Sequence, residues 1–259
     1  MAASDLLYRV YERSLVHQLD GAPMPQHVGV ILDGNRRFAR ERGLAHVAEG
    51  HRAGAQRIEP FLGWCAELGI PNVTLWLLST ENLSREDDEI APLLRIIEDT
   101  VHGLACGEGN ATRRWRVTVV GALDLLPPET RARLEEAAEA TADHDGMRVQ
   151  IAVGYGGRQE ITDALRSLLL DAAEHGRTLT ELAAELQPEH IGDHLYTTGM
   201  PDPDLIIRTS GEVRLSGFLL WQSAHSEFHF CDAFWPEFRR VDFLRALREY
   251  AQRTRRYGR

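Results

Sequence analysis

Short apolar runs alternate with longer segments whose apolar residues recur at helical spacing, and this alternation constrains the fold more than any other feature. It is typical of β-α-β units, in which helices cover both faces of a mostly parallel sheet. Six runs have the length and composition of strands, and they lie at residues 28–32, 73–78, 117–120, 147–153, 205–207 and 228–230. The sequence therefore predicts an α/β fold with a central, mostly parallel six-stranded sheet flanked by helices.

The segments between the predicted strands have helical patterns, and one of them begins with a capping signal. Ser84, with Asp87 three residues later, predicts the N-cap of a helix that runs to Cys106. Further helices are predicted from Arg36 onward and over residues 54–68, 129–142 and 158–174, with short helices within 175–203. No internal repeat or linker divides the chain, so we expect one domain over residues 1–259, with an N-terminal helix at 1–20 and a C-terminal helix and tail at 242–259.

The charged residues exclude several classes of chemistry. All 29 basic residues are arginine, so the sequence contains no P-loop, no Schiff-base lysine and no kinase-type strand lysine. The net charge of −10 and a pI near 5.6 argue against a nucleic-acid partner. Any anion that this protein binds is therefore held by arginine, histidine, backbone N–H groups or a metal ion.

The cysteines and the first residues of the chain bear on its compartment. Three widely spaced cysteines suit neither a disulfide framework nor a zinc site. Asp5, Arg9, Glu12 and Arg13 interrupt the apolar residues of the N-terminal segment, so it lacks the apolar core of a signal peptide. We expect a cytoplasmic protein with at most peripheral membrane contact.

Polar residues follow three of the predicted strands. By strand they are Asp33-Gly34-Asn35-Arg36-Arg37, Ser79-Thr80-Glu81-Asn82 and Arg208-Thr209-Ser210-Gly211-Glu212, with Arg214 and Ser216 beyond. Ligands of open parallel sheets bind outside the carboxyl ends of the strands, so we expect these segments to meet at one edge. Guanidinium groups pair bidentately with phosphate, and a carboxylate such as Asp33 binds Mg²⁺ together with phosphate oxygens. The pattern therefore predicts a magnesium-assisted reaction on diphosphates.

Each of these motifs also has a purely structural interpretation. Asp33-Gly34-Asn35 alone has the composition of a turn, and so does the glycine-rich stretch 154–157. The acidic residues Asp87, Asp88 and Glu89 are the usual partners of a helix dipole. Turns and helix caps alone do not require polar segments after three separate strands. The joint occurrence of the three segments therefore favours a functional site.

Five ordered segments resemble the signature regions of the cis-prenyltransferases, the undecaprenyl diphosphate synthase family. They are HVGVILDGNRRFARERG (27–43), GHRAG (50–54), TLWLLSTENLSR (74–85), GYGGR (154–158) and DLIIRTSGEVRLSGFLLWQSAHSEFHFCDAFWPEF (204–238). Within the family the chain is most similar to actinobacterial short-chain Z-farnesyl diphosphate synthases. The resemblance implies a homodimer with a hydrophobic tunnel beneath the active-site edge. It also implies Mg²⁺-dependent condensation of isopentenyl diphosphate with an allylic diphosphate, forming a cis double bond and releasing pyrophosphate.

The resemblance also implies a role for each matching residue. Asp33 and Asn82 match the catalytic positions of the family. Asp33 and Glu227 match its metal-binding positions, and Glu227 would act there together with residues of the partner subunit. The proton acceptor is left open among a phosphate oxygen, Asp33 and its hydrogen-bonded neighbours. The remaining positions bind the allylic diphosphate (Gly34, Asn35, Arg36, Arg37, Phe38, His51), bind isopentenyl diphosphate (Arg208, Arg214, Ser216) or lie beside the reacting centre (Ser79, Thr80, Glu81, Arg85). Arg256-Tyr257-Gly258 fits a C-terminal motif that completes a neighbouring active site.

Departures from the family pattern bear on product length. Leu77 stands where long-chain members tend to have alanine, and on an alternating strand it shares a face with Ser79, which places it on the tunnel wall. We therefore expect a short product of fifteen carbons, made from a short primer such as geranyl diphosphate. His46 lies near the position at which other family members have a diphosphate-binding arginine, so the sequence does not assign this diphosphate contact to a residue. The alternatives are a longer-chain synthase, a non-catalytic binding subunit and an irregular prenyl-coupling enzyme.

Overall fold

The computed structural model describes residues 3–253, so the C-terminal Arg256-Tyr257-Gly258 motif lies outside the described residues. Its centre is a six-stranded sheet with the strand order β3-β4-β2-β1-β5-β6, in which every neighbouring pair is parallel. The strands are β1 (His27–Ile31), β2 (Asn72–Trp76), β3 (Arg116–Val120), β4 (Arg148–Ala152), β5 (Leu205–Arg208) and β6 (Glu227–Phe230). The predicted α/β class and six-stranded sheet are confirmed.

Helices cover both faces of the sheet. They are α1 (Ala3–Gln18), α2 (Asn35–Glu41), α3 (Val47–Glu67), α4 (Asp87–Cys106), α5 (Glu108–Arg113), α6 (Pro128–Glu139), α7 (Gly157–Glu174), α8 (Leu179–Glu185), α9 (Pro188–Gly192) and α10 (Arg240–Gln252). Short 3-10 helices occur at Glu81–Ser84, Leu123–Leu125, Gln222–His225 and Trp235–Glu237. No helix within residues 3–253 is long and apolar enough to cross a membrane.

The central strands are buried because helices cover both of their faces. Every residue of β1, β2 and β5 is buried, as expected for a parallel sheet between two helical layers. On one face, Phe61 of α3 packs edge-on against Trp235, Phe238 and Phe243, with ring centroids 5.0 to 6.2 Å apart. These contacts hold the segment after β6 and helix α10 against α3.

Two predicted helix starts were wrong. The helix predicted from residue 54 begins at Val47, because Gly50 and Gly54 lie inside it, where they allow close approach to α2. A Cβ at Gly50 would lie 2.2 Å from the Asn35 carbonyl oxygen, and one at Gly54 2.3 Å from Asn35 Oδ1. Ser84 is not an N-cap: its hydroxyl donates to the Glu81 carbonyl at 2.8 Å, closing the 3-10 turn, and α4 begins at Asp87.

The connections of the sheet reverse direction at β1 and β5. The chain passes from β1 to β2 on one side, whereas β5 continues to β6 on the other. Ile31, the last residue of β1, is in register with Arg208, the last residue of β5. A crevice forms at such a switch point because the two connections leave in opposite directions. The fold therefore places the carboxyl ends of β1 and β5 at the mouth of a binding site.

Candidate active site

Asp33 lies two residues beyond β1, and its backbone is fixed by the segment after β5. The Thr209 hydroxyl accepts a hydrogen bond from the Asp33 N–H at 2.9 Å and donates to the Asp33 carbonyl at 2.7 Å. The Trp235 N–H also donates to that carbonyl, at 3.0 Å. Arg208 Nη2 donates to Asp33 Oδ2 at 2.8 Å, and this guanidinium is only 6% exposed. A carboxylate and a buried arginine from distant parts of the chain thus meet at the switch point.

Arg208 also organises the loop that follows β5. Its Nη1 donates to Ser216 Oγ at 2.9 Å and to the Arg214 carbonyl at 2.5 Å. The Arg214 guanidinium points away from Arg208 and pairs with Glu212. Ser216 adopts a φ of 52°. The two hydrogen bonds that Arg208 Nη1 donates, to Ser216 Oγ and to the Arg214 carbonyl, stabilise this backbone conformation.

A second arginine, Arg37 of α2, contacts the same carboxylate. Its Nη2 lies 3.8 Å from Asp33 Oδ2 and 3.2 Å from Glu212 Oε1, and it donates to Ser210 Oγ. Glycine is required at position 34, directly before α2. Its φ is 105°, and a Cβ there would lie 2.8 Å from the Phe234 ring and 2.8 Å from Ser210 Cβ.

These side chains line a cavity of about 690 Å³. Thirteen of the predicted site residues lie on its wall: Asp33, Gly34, Asn35, Arg36, Arg37, His51, Leu77, Ser79, Glu81, Asn82, Arg85, Arg208 and Ser216. The three polar segments predicted to meet at one edge of the sheet therefore do meet. Sequence reasoning missed the six further wall residues: Ile31, Leu32, Arg40, Trp76, Leu78 and Leu93.

Three predicted residues near the cavity face elsewhere. The Phe38 ring lies beneath the Arg42 guanidinium, 5.9 Å from ring centre to Cζ. Thr80 faces the Gly154–Gly157 turn, where its Oγ1 lies 2.6 Å from the position of a Cβ at Gly156, and its N–H donates to the Tyr155 carbonyl. His46 is exposed at the start of α3, where its N–H donates to the Glu49 carboxylate at 3.0 Å.

Glu227 lies at the opposite end of the sheet from Asp33. It is the first residue of the edge strand β6 and pairs with Leu205, the first residue of β5. Phe230, which is level with Arg208, is three residues further along, roughly 10 Å at the rise of a strand. The Glu227 carboxylate pairs with Arg253 at 2.5 Å. Its metal role stays a prediction that requires a second subunit.

The cavity wall holds buried polar atoms without hydrogen bonds. They are Asn35 Oδ1, Arg36 Nε, His51 Nε2, Trp76 Nε1 and Arg208 Nε, within residues 3–253. Buried polar groups are almost always paired, so five such atoms on residues of one cavity indicate a polar ligand. Four of the five are nitrogens suited to donate a hydrogen bond.

His51 is a neutral donor at pH 7. Its pKa is lowered to about 4, mostly by burial and also by the Arg85 and Arg36 guanidiniums, while the Glu89 carboxylate acts in the opposite direction. A neutral imidazole offers one N–H and one lone pair, and Nε2 forms no hydrogen bond, with the Glu89 carboxylate 3.8 Å away. His51 therefore fits a site in which arginines carry the charge.

A second, much smaller cavity lies between α3 and α4 beneath the first. Its volume is about 30 Å³, and Leu32, Asn35, His51, Leu77 and Leu93 line both cavities. Its other walls are mainly apolar and include Ile58, Ile96, Ile97 and Trp235. Although β2 ends at Trp76, two residues earlier than predicted, Leu77 does line the boundary between the polar and the apolar cavity.

The donor set fits a magnesium ion only in part. Asp33 supplies a half-exposed carboxylate at the cavity, with Asn35 and Asn82 amides on the same wall. No group of three or more acidic, histidine or cysteine side chains within the described residues is arranged to hold a metal alone. Mg²⁺ commonly binds one or two carboxylates and completes its shell with phosphate oxygens and water. The residues therefore fit a metal that arrives with a diphosphate.

Comparison with known proteins places this cavity in context. Residues 31–258 match the family model described as putative undecaprenyl diphosphate synthase. The (2Z,6E)-farnesyl diphosphate synthase of Thermobifida fusca is 60% identical, covering 97% of each chain. Isoprenyl transferase 1 of Streptomyces avermitilis is 57% identical over 98% of this chain and 96% of the relative. The crystal structure of lavandulyl diphosphate synthase from Lavandula x intermedia, in complex with dimethylallyl diphosphate, is 34% identical with a TM-score of 0.80, over 90% of this chain and 97% of that one.

Proposed function

The chain belongs to the undecaprenyl diphosphate synthase family and is a prenyltransferase, and we propose that it makes a short Z-prenyl diphosphate. It condenses isopentenyl diphosphate with a short allylic diphosphate, geranyl diphosphate or a similar primer, to give (2Z,6E)-farnesyl diphosphate and pyrophosphate. The observation that carries this proposal is the contact of Asp33 with Arg208 and Arg37 in a cavity whose wall also holds buried polar atoms without hydrogen bonds.

The arginines divide between two diphosphates. Arg36, Arg37 and His51, with the backbone of Gly34 and Asn35, bind the allylic diphosphate from the α2 and α3 side. Arg208 and Ser216, with Arg214 in the same loop, bind isopentenyl diphosphate from the β5 side. This division is supported by the elements that carry the residues, because Arg36, Arg37 and His51 belong to α2 and α3, Arg208 and Ser216 lie at and after the end of β5, and all five line the cavity.

Asp33 would hold Mg²⁺ together with diphosphate oxygens, and the ion would neutralise the negative charge that develops on the leaving pyrophosphate. The arginines supply fixed positive charge to the same oxygens. The allylic C–O bond breaks, the double bond of isopentenyl diphosphate attacks the allylic carbon, and a proton leaves the product. Ser79, Glu81, Asn82 and Arg85 lie on the same cavity wall, and in this proposal they lie beside the reacting carbons.

The apolar cavity supports a short product. The growing hydrocarbon would extend from the polar cavity toward Leu77, beyond which this structure has a space of only about 30 Å³. The Leu77 side chain occupies the boundary of the two cavities and limits how far the hydrocarbon can extend. The name of the Thermobifida fusca relative agrees with this product length.

The same proposal includes a cytoplasmic homodimer. Leu165 and Leu169 of α7 are 42% and 39% exposed, one helical turn apart, and Phe230 of the edge strand β6 is 36% exposed. Apolar side chains left exposed on one side of a domain suit a subunit interface. A second subunit on this side would also bring its own residues to Glu227.

Incubation with labelled isopentenyl diphosphate, Mg²⁺ and one primer at a time tests the proposal. Dimethylallyl, geranyl and farnesyl diphosphates are supplied separately, and the products are sized by chromatography. We expect one addition to geranyl diphosphate, giving a fifteen-carbon product. Long products would indicate the longer-chain synthase. Products from dimethylallyl diphosphate alone would indicate an irregular coupling enzyme, and no incorporation with any primer would indicate a binding subunit.

A further inference from the structure

The three acidic residues in the first turn of α4 do not share one role. Asp87 and Asp88 are exposed, as partners of a helix dipole usually are. Glu89 instead faces the protein, and its side chain is 19% exposed. Its carboxylate lies 2.8 Å from Arg85 Nη1, 3.3 Å from Arg36 Nη2 and 3.8 Å from His51 Nε2.

The three partners of Glu89 come from three separate elements and all line the active-site cavity. Arg36 belongs to α2, His51 to α3, and Arg85 follows the 3-10 turn Glu81–Ser84. One carboxylate behind the wall therefore connects the α2 and α3 side of the cavity with the segment after β2.

Electrostatics explains why a charge is needed at this position. Burial lowers the pKa of Arg85, and the nearby Arg36 guanidinium lowers it further, so these two cations destabilise each other when no anion is present. The Glu89 carboxylate opposes both effects. Arg36 is 43% exposed, and without this partner its guanidinium is free to move into solvent.

We propose that Glu89 is a positioning residue for the allylic diphosphate. Its carboxylate accepts a hydrogen bond from Arg85, forms an ion pair with Arg36, and keeps both guanidiniums directed at the cavity before the substrate binds. Preorganised donors lose less entropy when the ligand arrives, so the effect belongs to binding of the allylic substrate. The proposal rests on the proposed function, because it assigns a role within that site.

Glu89→Gln tests this role because it keeps the shape of the side chain. The amide has one oxygen that can accept and an NH₂ group that must face a guanidinium, so it cannot hold both arginines. We expect the KM for the allylic diphosphate to rise about tenfold, as for the loss of a charged hydrogen bond. The KM for isopentenyl diphosphate should change less than about twofold, since Arg208 and Ser216 do not contact Glu89.

Asp88→Asn is the matched control, because it removes the same charge one residue away from an exposed position. It should leave both KM values unchanged. A merely structural role for Glu89 would lower kcat and Tm without separating the two KM values, and that result would overturn the proposal. Equal rises in both KM values, or no rise in either, would also overturn it.

A binding measurement separates this proposal from the proposed function. Calorimetric titration with Mg²⁺ and inorganic pyrophosphate requires no turnover, and we expect Glu89→Gln to bind about tenfold more weakly than the natural protein. Equal binding would overturn the role of Glu89. Pyrophosphate binding without prenyl transfer would instead contradict the proposed function. The difference in pyrophosphate affinity between Glu89→Gln and the natural protein would still decide the role of Glu89.

Discussion

Two arginines hold the Asp33 carboxylate, and their contacts show how single residues determine the site. Arg208 is nearly buried and bonded at both ends of its guanidinium, whereas Arg37 is 41% exposed and shared with Glu212. A buried guanidinium whose two terminal nitrogens are both bonded keeps its position when substrate arrives, whereas an exposed one can adjust. Arg208 therefore supplies a fixed anchor and Arg37 an adaptable one.

The buried His51 makes stability depend on pH. Its pKa is about 4 in the folded chain against an ordinary value of 6.5, so between these values the unfolded chain binds more protons. Stability from this group is fully present above pH 6.5 and is lost as pH falls toward 4. His27, also buried with a pKa of about 4, acts in the same direction.

We expect His51→Asn to reduce this pH dependence. Between pH 7 and pH 5 the natural protein should lose up to about 2 kcal/mol more unfolding free energy than the variant. Urea denaturation at both pH values measures the difference. His102→Asn, at an exposed position, should lose as much as the natural protein. An unchanged slope in His51→Asn would show that His51 does not titrate as assigned.

Helices α3 and α4 enclose the small apolar cavity toward which we propose the hydrocarbon extends. They supply most of the walls of the small apolar cavity, and Leu77 closes it toward the polar one. Shortening a side chain at such a boundary opens volume that a longer apolar chain can fill.

Leu77→Ala should therefore shift the products from fifteen carbons to longer chains. Product sizing with geranyl diphosphate and labelled isopentenyl diphosphate measures the shift. Leu182→Ala is the control, since Leu182 lies in a separate cluster with Leu168 and Ala172. The control should lose about 2–5 kcal/mol of stability but keep its product length. Unchanged lengths in Leu77→Ala would contradict its role as the boundary.

At the level of elements, local patterns predicted strands better than helix ends. The buried apolar runs of β1, β2 and β5 are visible in the sequence, and so are the polar segments that follow them. The start of α3 was predicted seven residues late, and Gly50 and Gly54, which lie within the helix, allow close packing against Asn35. Glu89 was missed because its partners are brought together only by tertiary packing, and no local pattern distinguishes it from Asp87 and Asp88.

On the scale of the whole molecule, the two edges of the sheet differ. The β3 edge carries a covering helix, α6, while the β6 edge leaves Phe228 and Phe230 stacked, with centroids 6.4 Å apart, near the surface. Exposed sheet edges are usually covered in native proteins. A second subunit on the β6 and α7 side would cover this edge.

We expect the protein to sediment as a dimer of the 29.1 kDa chain. Leu169→Arg places a charge among the exposed leucines of α7 and should shift the equilibrium toward monomer, as measured by analytical ultracentrifugation. Leu125→Arg, at a 59% exposed position after β3, is the control and should remain dimeric. A monomeric natural protein, or a dimer unaffected by Leu169→Arg, would contradict this interface.

The most direct test of the central claim compares the natural protein with Asp33→Ala in one assay. Both are incubated with Mg²⁺, geranyl diphosphate and labelled isopentenyl diphosphate, and their folding is checked by circular dichroism. We predict a labelled fifteen-carbon product from the natural protein and a turnover at least about a thousandfold lower in the folded Asp33→Ala variant. Turnover retained in Asp33→Ala, or no labelled product from the natural protein, would contradict the account.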